Sequence, residues 1–291
     1  MRKIVPIIRG MRPRYWPASI LTLLIGVLIA EGNAPILTIL IAAVTFGPIM
    51  GGATYLLNHY YDRHIDRINP RTRNLPISKL EVSPLNVKRA SVILYAVGIL
   101  PAYSIGLEIL VLYLAMLGLG VSYSAPPVRL KSKLLPGILT SAVGYGFASI
   151  YAGWLLVKNV SPAPLIIALP ISLPIAAAHL YKGVEDRVGD MVNGVSTVAT
   201  RGGRKLALSI SWLLSVSGYV LFAVFSFLGW LAGEFAYLGL GVPLISVVYA
   251  SISTEQIAGD DVRKHGWVLA ISLVVTLAIV LAISVRHAPI L

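Results

Sequence analysis

The sequence contains no cysteine, which excludes a disulfide framework and a thiolate metal site. It is also short of negative charge: only 12 Asp and Glu stand among 291 residues, and charged residues make up 12% of the chain. A soluble globular domain carries about 25%, so an ordinary water-soluble core is excluded. What fills the chain instead is apolar, 57% hydrophobic, in runs near the roughly 20 residues that a helix needs to cross the hydrocarbon layer. The net charge of +12 therefore points to basic loops at a membrane face rather than to nucleic acid. Arg2, Lys3, Arg9, Arg12 and Arg14 precede the first apolar run. No small-residue cleavage site followed by a soluble domain comes after them, so this segment is expected to stay with the protein.

The pattern predicts an all-α integral membrane protein with nine transmembrane helices, at about 15–31, 35–60, 84–104, 107–124, 134–157, 162–181, 204–229, 231–253 and 266–285. Short breaks at Glu31-Gly32-Asn33, Pro101, Asn159 to Pro162 and Gly229 join neighbouring helices, and the longer polar loops fall on the other side. Of the 24 Lys and Arg, 22 belong to the N-terminus and these longer loops; only Lys158 and Arg286 do not. The positive-inside bias then makes the N-terminus and the long loops cytoplasmic.

Four of the six aspartates form two pairs with the same spacing, Asp62/Asp66 and Asp186/Asp190. On a helix, residues four apart share a face about one turn apart. Asn58 extends the first stripe by one more turn; Lys182 holds the matching place in the second. The pairs are 124 residues apart, each where an even-numbered span leaves the membrane. This predicts two four-helix halves, about 15–125 and 134–253, with a ninth helix at about 266–285, all in a single domain. Two carboxylates one turn apart repel unless a cation lies between them. Nearby arginines and lysines are the plainer answer, but the repetition favours a divalent cation. The donors are oxygens, which suits Mg²⁺, an ion that uses one or two carboxylates and completes its shell with water and phosphate oxygens. A diphosphate held there needs further cationic partners. The candidates are Arg63, Arg67, Arg71 and Arg73, then Arg129, Lys131 and Lys133, then Lys182 and Arg187. Transporters also carry intramembrane acids, but near the midplane rather than at helix exits among arginines.

Together these segments resemble the UbiA family of intramembrane prenyltransferases. N-x-x-x-D-x-x-x-D matches Asn58, Asp62 and Asp66; D-x-x-x-D matches Asp186 and Asp190, followed by Gly194-Val195-Ser196-Thr197; YSAPPVRLK, residues 123–131, is similar to the exit loop of the family's fourth helix; and INPRTRNLP, residues 68–76, to its loop after the first motif. The resemblance implies helices around a central apolar cavity, with a polyprenyl diphosphate donor whose tail lies in the membrane. It implies Mg²⁺ held by Asn58, Asp62, Asp66, Asp186 and Asp190, with Lys131 and Arg67 stabilising the leaving diphosphate. Aromatic faces that stabilise an allylic cation are sought among Tyr123, Tyr145, Phe147, Tyr151 and Tyr181. His59 is expected to hydrogen-bond in a loop, His179 to pack against a neighbouring helix, and Asp260-Asp261 to lie in a solvated loop. The acceptor is a small aromatic ring or a lipid alcohol. Asn69 to Thr72 resembles the 4-hydroxybenzoate branch, and Glu185 to Asp190, with Gly189 before the last acid, the archaeal ether-lipid branch. The aromatic acceptor is ranked slightly ahead.

Overall fold

The computed structural model describes residues 4–69, 72–192, 194–253 and 259–287. A short helix, α1 (Ile4–Gly10), precedes α2 (Trp16–Ile29), α3 (Ile36–Ile68), α4 (Pro84–Ile105), α5 (Leu107–Ser124), α6 (Leu134–Leu155), α7 (Leu165–Val192), α8 (Val198–Phe227), α9 (Gly241–Ser253) and α10 (Gly259–His287). Among the described residues eight helical stretches are long and apolar enough to cross a membrane, so the chain is an all-α integral membrane protein.

The expected count of nine is not reached by this measure because of α2. It has 14 residues, a rise of about 21 Å against a hydrocarbon layer of about 30 Å. The expected second and sixth spans are too short at their polar ends: α3 runs on to Ile68 and α7 to Val192. Hydropathy falls where the membrane ends, whereas Asn, Asp, Arg and Tyr can still continue a helix. Both acid pairs ride on these extensions. Pro101 does not break the chain; α4 continues to Ile105, and Gly106 alone joins it to α5. Asp260 and Asp261, expected in a loop, belong to the start of α10.

The core has three parts. One gathers Ile25, Ile150, Ile171, Leu208, Phe222 and Leu277 from α2, α6, α7, α8 and α10. A second gathers Leu23, Phe46, Leu57, Tyr95, Tyr113 and Ala152 from α2 to α6. A third, at the acid-bearing end, packs Met11, Leu56, Ile77, Val82 and Val87 beneath α1. Among the described residues only α2 and α6 feed both large clusters, so their contact is the seam of the bundle. A polar link repeats on either side of it. Ser91 on α4 donates to the Ala53 carbonyl of α3 at 2.7 Å, and Ser211 on α8 donates to the Ala177 carbonyl of α7 at 2.7 Å; the two alanines are 124 residues apart. In hydrocarbon such hydroxyl-to-carbonyl bonds tie helices where apolar packing alone supplies little preference over lipid.

At the seam the backbones touch. A methyl group on Gly153 would stand 1.9 Å from the Leu23 carbonyl oxygen, and one on Gly26 1.9 Å from the Ile150 carbonyl oxygen. Small residues permit this approach. Gly153→Ala is expected to force α2 and α6 apart, at a cost of about 1–3 kcal/mol or more, and to lower the unfolding midpoint in detergent. Gly118→Ala, which meets nothing within 4 Å, should leave the midpoint unchanged.

Candidate active site

The polar end of α3 carries the first acid pair. Asp62 and Asp66 are only 6% and 7% exposed, and a buried carboxylate needs partners. Asp62 has three. Asn58 Nδ2 donates to Oδ2 at 2.9 Å, Arg129 Nη2 donates to Oδ1 at 3.2 Å, and Lys131 Nζ is ion-paired to Oδ2. Both cations come from the loop after α5, where Arg129 adopts a left-handed backbone, φ 40°. Its Nε is buried and, among the described residues, has no hydrogen-bond partner, so one donor of this guanidinium is unused.

Asp66 is held differently. His59 Nδ1 lies 3.0 Å from Asp66 Oδ2, and Arg12 Nε donates to His59 Nε2 at 3.0 Å. A guanidinium has only donors. Nε2 must therefore accept, and Nδ1 carries the hydrogen that is donated to Asp66. The main chain is tied as well, since Thr72 Oγ1 donates to the Asp66 carbonyl at 3.2 Å.

The second pair meets the first through Asn69. This residue ends α3, is buried, and donates from Nδ2 to Asp186 Oδ1 at 2.7 Å. Gly189 makes room for it, because a Cβ there would lie 3.1 Å from Asn69 Cβ. Tyr123 stands close enough to Asp62, Asp186 and Asp190 to interact electrostatically with all three, and its ring meets His179 edge-on at 6.1 Å. His179 also bonds Ser141 at 2.8 Å, in keeping with the expected link to a neighbouring helix. Thr197 caps α8 through a reciprocal pair of bonds with Thr200, and Arg187 Nε donates to the Ala199 carbonyl at 2.9 Å. That pins the start of α8 to α7.

The expected residues therefore divide. Asn58, Asp62, Arg129 and Lys131 form one bonded group, and Asp66, Asp186, Asp190 and Tyr123 border it. Arg63 instead lies over the Tyr60 ring at 5.1 Å and donates to the Tyr60 carbonyl. Arg67 and Arg73 are exposed, and Lys182 sits over the Tyr15 ring at 5.8 Å. Arg71 lies outside the described residues. Phe147 and Tyr151 stack on each other, and the Tyr151 hydroxyl accepts from Ser161 N near the far end. Tyr181 is a core residue, whereas the Tyr145 hydroxyl donates to that of Tyr55 at 2.8 Å. Sequence reasoning missed Asn69, His59 and Arg12. His59 is not in a loop but buried within α3. Its signal was its place three residues before Asp62, next to Asn58, on a helix with little room for a stray polar group.

Among the described residues no three His, Asp or Glu side chains are gathered closely enough to hold a metal ion unaided. The donors nevertheless fit Mg²⁺: they are oxygens from carboxylates and one amide, arranged in pairs, and Mg²⁺ takes one or two carboxylates and fills its other positions with water and phosphate oxygens. Two cavities found in the bundle are small. One of about 20 Å³ lies between Pro174, Tyr219, Tyr249 and Leu273, and one of about 10 Å³ lies beside His59 and Leu56; neither has room for an isoprenoid tail.

Fold and site define a helical membrane enzyme built around two carboxylate pairs, the first of them buried and set against cations. The chain belongs to the UbiA prenyltransferase family, which it matches over residues 19–266, and is a prenyltransferase. It is similar to digeranylgeranylglyceryl phosphate synthase of Saccharolobus solfataricus, 31% identical over 225 residues that cover 75% of this chain and 74% of the relative. Its fold resembles a solved digeranylgeranylglyceryl phosphate synthase with a TM-score of 0.72 at 21% identity, covering 98% of this chain and 100% of that one. It also resembles a UbiA homolog from Archaeoglobus fulgidus bound to DMAPP and Mg²⁺, with a TM-score of 0.70 at 18% identity, covering 95% and 99%.

The Asn69–Asp186 bond joins the two acid pairs and is testable by itself. A double-mutant cycle of Asn69→Ala and Asp186→Ala, read by thermal unfolding in detergent, is expected to give a coupling of about 1.5–3 kcal/mol, the range for a hydrogen bond to a charged group. A coupling near zero would mean that the halves do not communicate through this bond.

Proposed function

We propose that this protein transfers a geranylgeranyl group from geranylgeranyl diphosphate to the hydroxyl of geranylgeranylglyceryl phosphate, making a digeranylgeranylglyceryl phosphate. The observation that carries this reading is the convergence of both acid pairs with Arg129 and Lys131, in a chain whose relatives include digeranylgeranylglyceryl phosphate synthases. The aromatic acceptor suggested by Asn69 to Thr72 loses its support. Asn69 and Thr72 bond to Asp186 and Asp66, so this stretch serves the acid pairs whichever acceptor is used. The Gly189 hint agrees with the relatives.

In this reading the donor's diphosphate enters among Asn58, Asp62, Asp66, Asp186 and Asp190, with the acid-bearing end facing the cytoplasm. Bound Mg²⁺ supplies positive charge that weakens the bond between C1 of the donor and the diphosphate oxygen. Arg129 and Lys131 leave Asp62 in part and turn to the phosphate oxygens; the unused Arg129 Nε offers a further donor. Such prearranged charge is usually the largest catalytic term. The electron pair departs with the diphosphate, and an allylic cation remains. Tyr123 presents a ring beside it, and the apolar bundle keeps water away. The acceptor hydroxyl oxygen then bonds to C1 and releases its proton.

Purified protein given geranylgeranyl diphosphate and Mg²⁺, with geranylgeranylglyceryl phosphate or 4-hydroxybenzoate in separate reactions, is expected to yield a mass-identified product only with the lipid alcohol. Asp62→Ala and Asp186→Ala should abolish transfer while the protein still inserts, and EDTA should stop the wild-type reaction. Transfer only to 4-hydroxybenzoate would reverse the assignment of the acceptor.

A further inference from the structure

The segment before α2 reaches into the site. Arg12 lies in the turn between α1 and the Pro13–Tyr15 turn that leads into α2, and its backbone is left-handed, φ 52°. A non-glycine residue rarely adopts this conformation, and here it directs a guanidinium inward, where the residue is 6% exposed. The neighbourhood holds that turn in place. Trp16 Nε1 donates to the Met11 carbonyl at 3.2 Å, Tyr15 N donates to the Arg12 carbonyl at 3.1 Å, and the Met11 side chain packs against Gly52 of α3. Arg12 also lies over the Tyr55 ring at 5.5 Å. The chain of bonds then runs Arg12 Nε to His59 Nε2, and His59 Nδ1 to Asp66 Oδ2, each at 3.0 Å. His59 is 1% exposed, so water does not compete for either nitrogen.

We propose that Arg12 and His59 are positioning residues that fix the carboxylate of Asp66 for binding the Mg²⁺–diphosphate headgroup, which makes the segment before α2 part of the active-site architecture. Neither residue touches the substrate. Arg12 commits His59 to one tautomer, and that tautomer holds one oxygen of Asp66 and leaves the other outside this chain of bonds. Partners of this kind orient the groups that ligate a metal, and their loss typically lowers metal affinity about 10–100-fold. The inference rests on the prenyltransferase reading given above.

Asparagine and glutamine separate the two ends of the imidazole. The Asn amide nitrogen takes the place of Nδ1 and can still donate to Asp66; the Gln amide reaches the Nε2 position and loses that donor. The test uses full-length protein in detergent and geranylgeranyl thiolodiphosphate, which ionises slowly. The Mg²⁺ concentration at half-maximal binding is read by thermal shift, beside turnover with the natural donor. His59→Gln and Arg12→Gln are expected to raise that concentration about 10-fold or more, with kcat at saturating Mg²⁺ little changed. His59→Asn and Arg12→Lys should recover most of the loss. An unchanged Mg²⁺ dependence in both Gln variants would overturn the proposal, as would a His59→Asn variant as impaired as His59→Gln, or a fall in kcat with no shift in Mg²⁺ dependence. Wild-type binding that needs no Mg²⁺ would defeat this proposal together with the functional reading. Wild-type binding that needs Mg²⁺ and is matched by the variants would defeat this proposal alone.

Discussion

Everything at the polar end of this bundle follows from the difficulty of keeping carboxylates at the edge of a hydrocarbon layer. An isolated buried charge costs several kcal/mol even after relaxation. The chain answers by giving Asp62 an amide, a guanidinium and an ammonium, and by giving Asp66 a histidine backed by an arginine. These partners come from the segment before α2, from α3 itself and from the loop after α5. The local fold of all three is thereby set by one electrostatic requirement. In the proposed reading, a headgroup that brings its own cations replaces one set of counter-charges by another without stranding the acids.

Much of this was legible beforehand. The acid pairs are conspicuous because acids are scarce, and their spacing places each pair on one helical face. The basic loop after α5 reads as a partner of the diphosphate; the structure puts Lys131 and Arg129 on Asp62 instead. The family assignment rested on the same residues. What stayed hidden was whatever depended on distance across the fold. Asn69 reads as a loop residue until it is found bonded to Asp186, 117 residues further on. Arg12 reads as one more positive residue at a membrane face, because positive charge there already has a sufficient cause. Arg63 is the reverse case, since its neighbour in sequence, Tyr60, holds it away from the acids.

The span boundaries failed for a related reason. Hydropathy reports the solvent around a helix and is silent about the helix itself. α3 and α7 continue as helices past their apolar stretches, so their acids are displayed from helices and not from loops. Rigid display matters for a site that must hold oxygen atoms in a fixed arrangement. The π turn at Thr45–Gly51 in α3, around Pro48, and the prolines Pro170 and Pro174 in α7 interrupt these helices further along, where backbone bonds are freed by the missing donors.

The contact between Gly26 and Gly153 carries a mechanical meaning. Where two helices meet through side chains, rotamers can yield and the helices can shift. Here carbonyl oxygens abut glycine α-carbons, and nothing between them can bend. α2 and α6 thus act as a keel running through the bundle. Helices at the flanks rest on leucine, valine and tyrosine side chains, whose rotamers can change, so any adjustment of the bundle falls to them while the keel keeps its register.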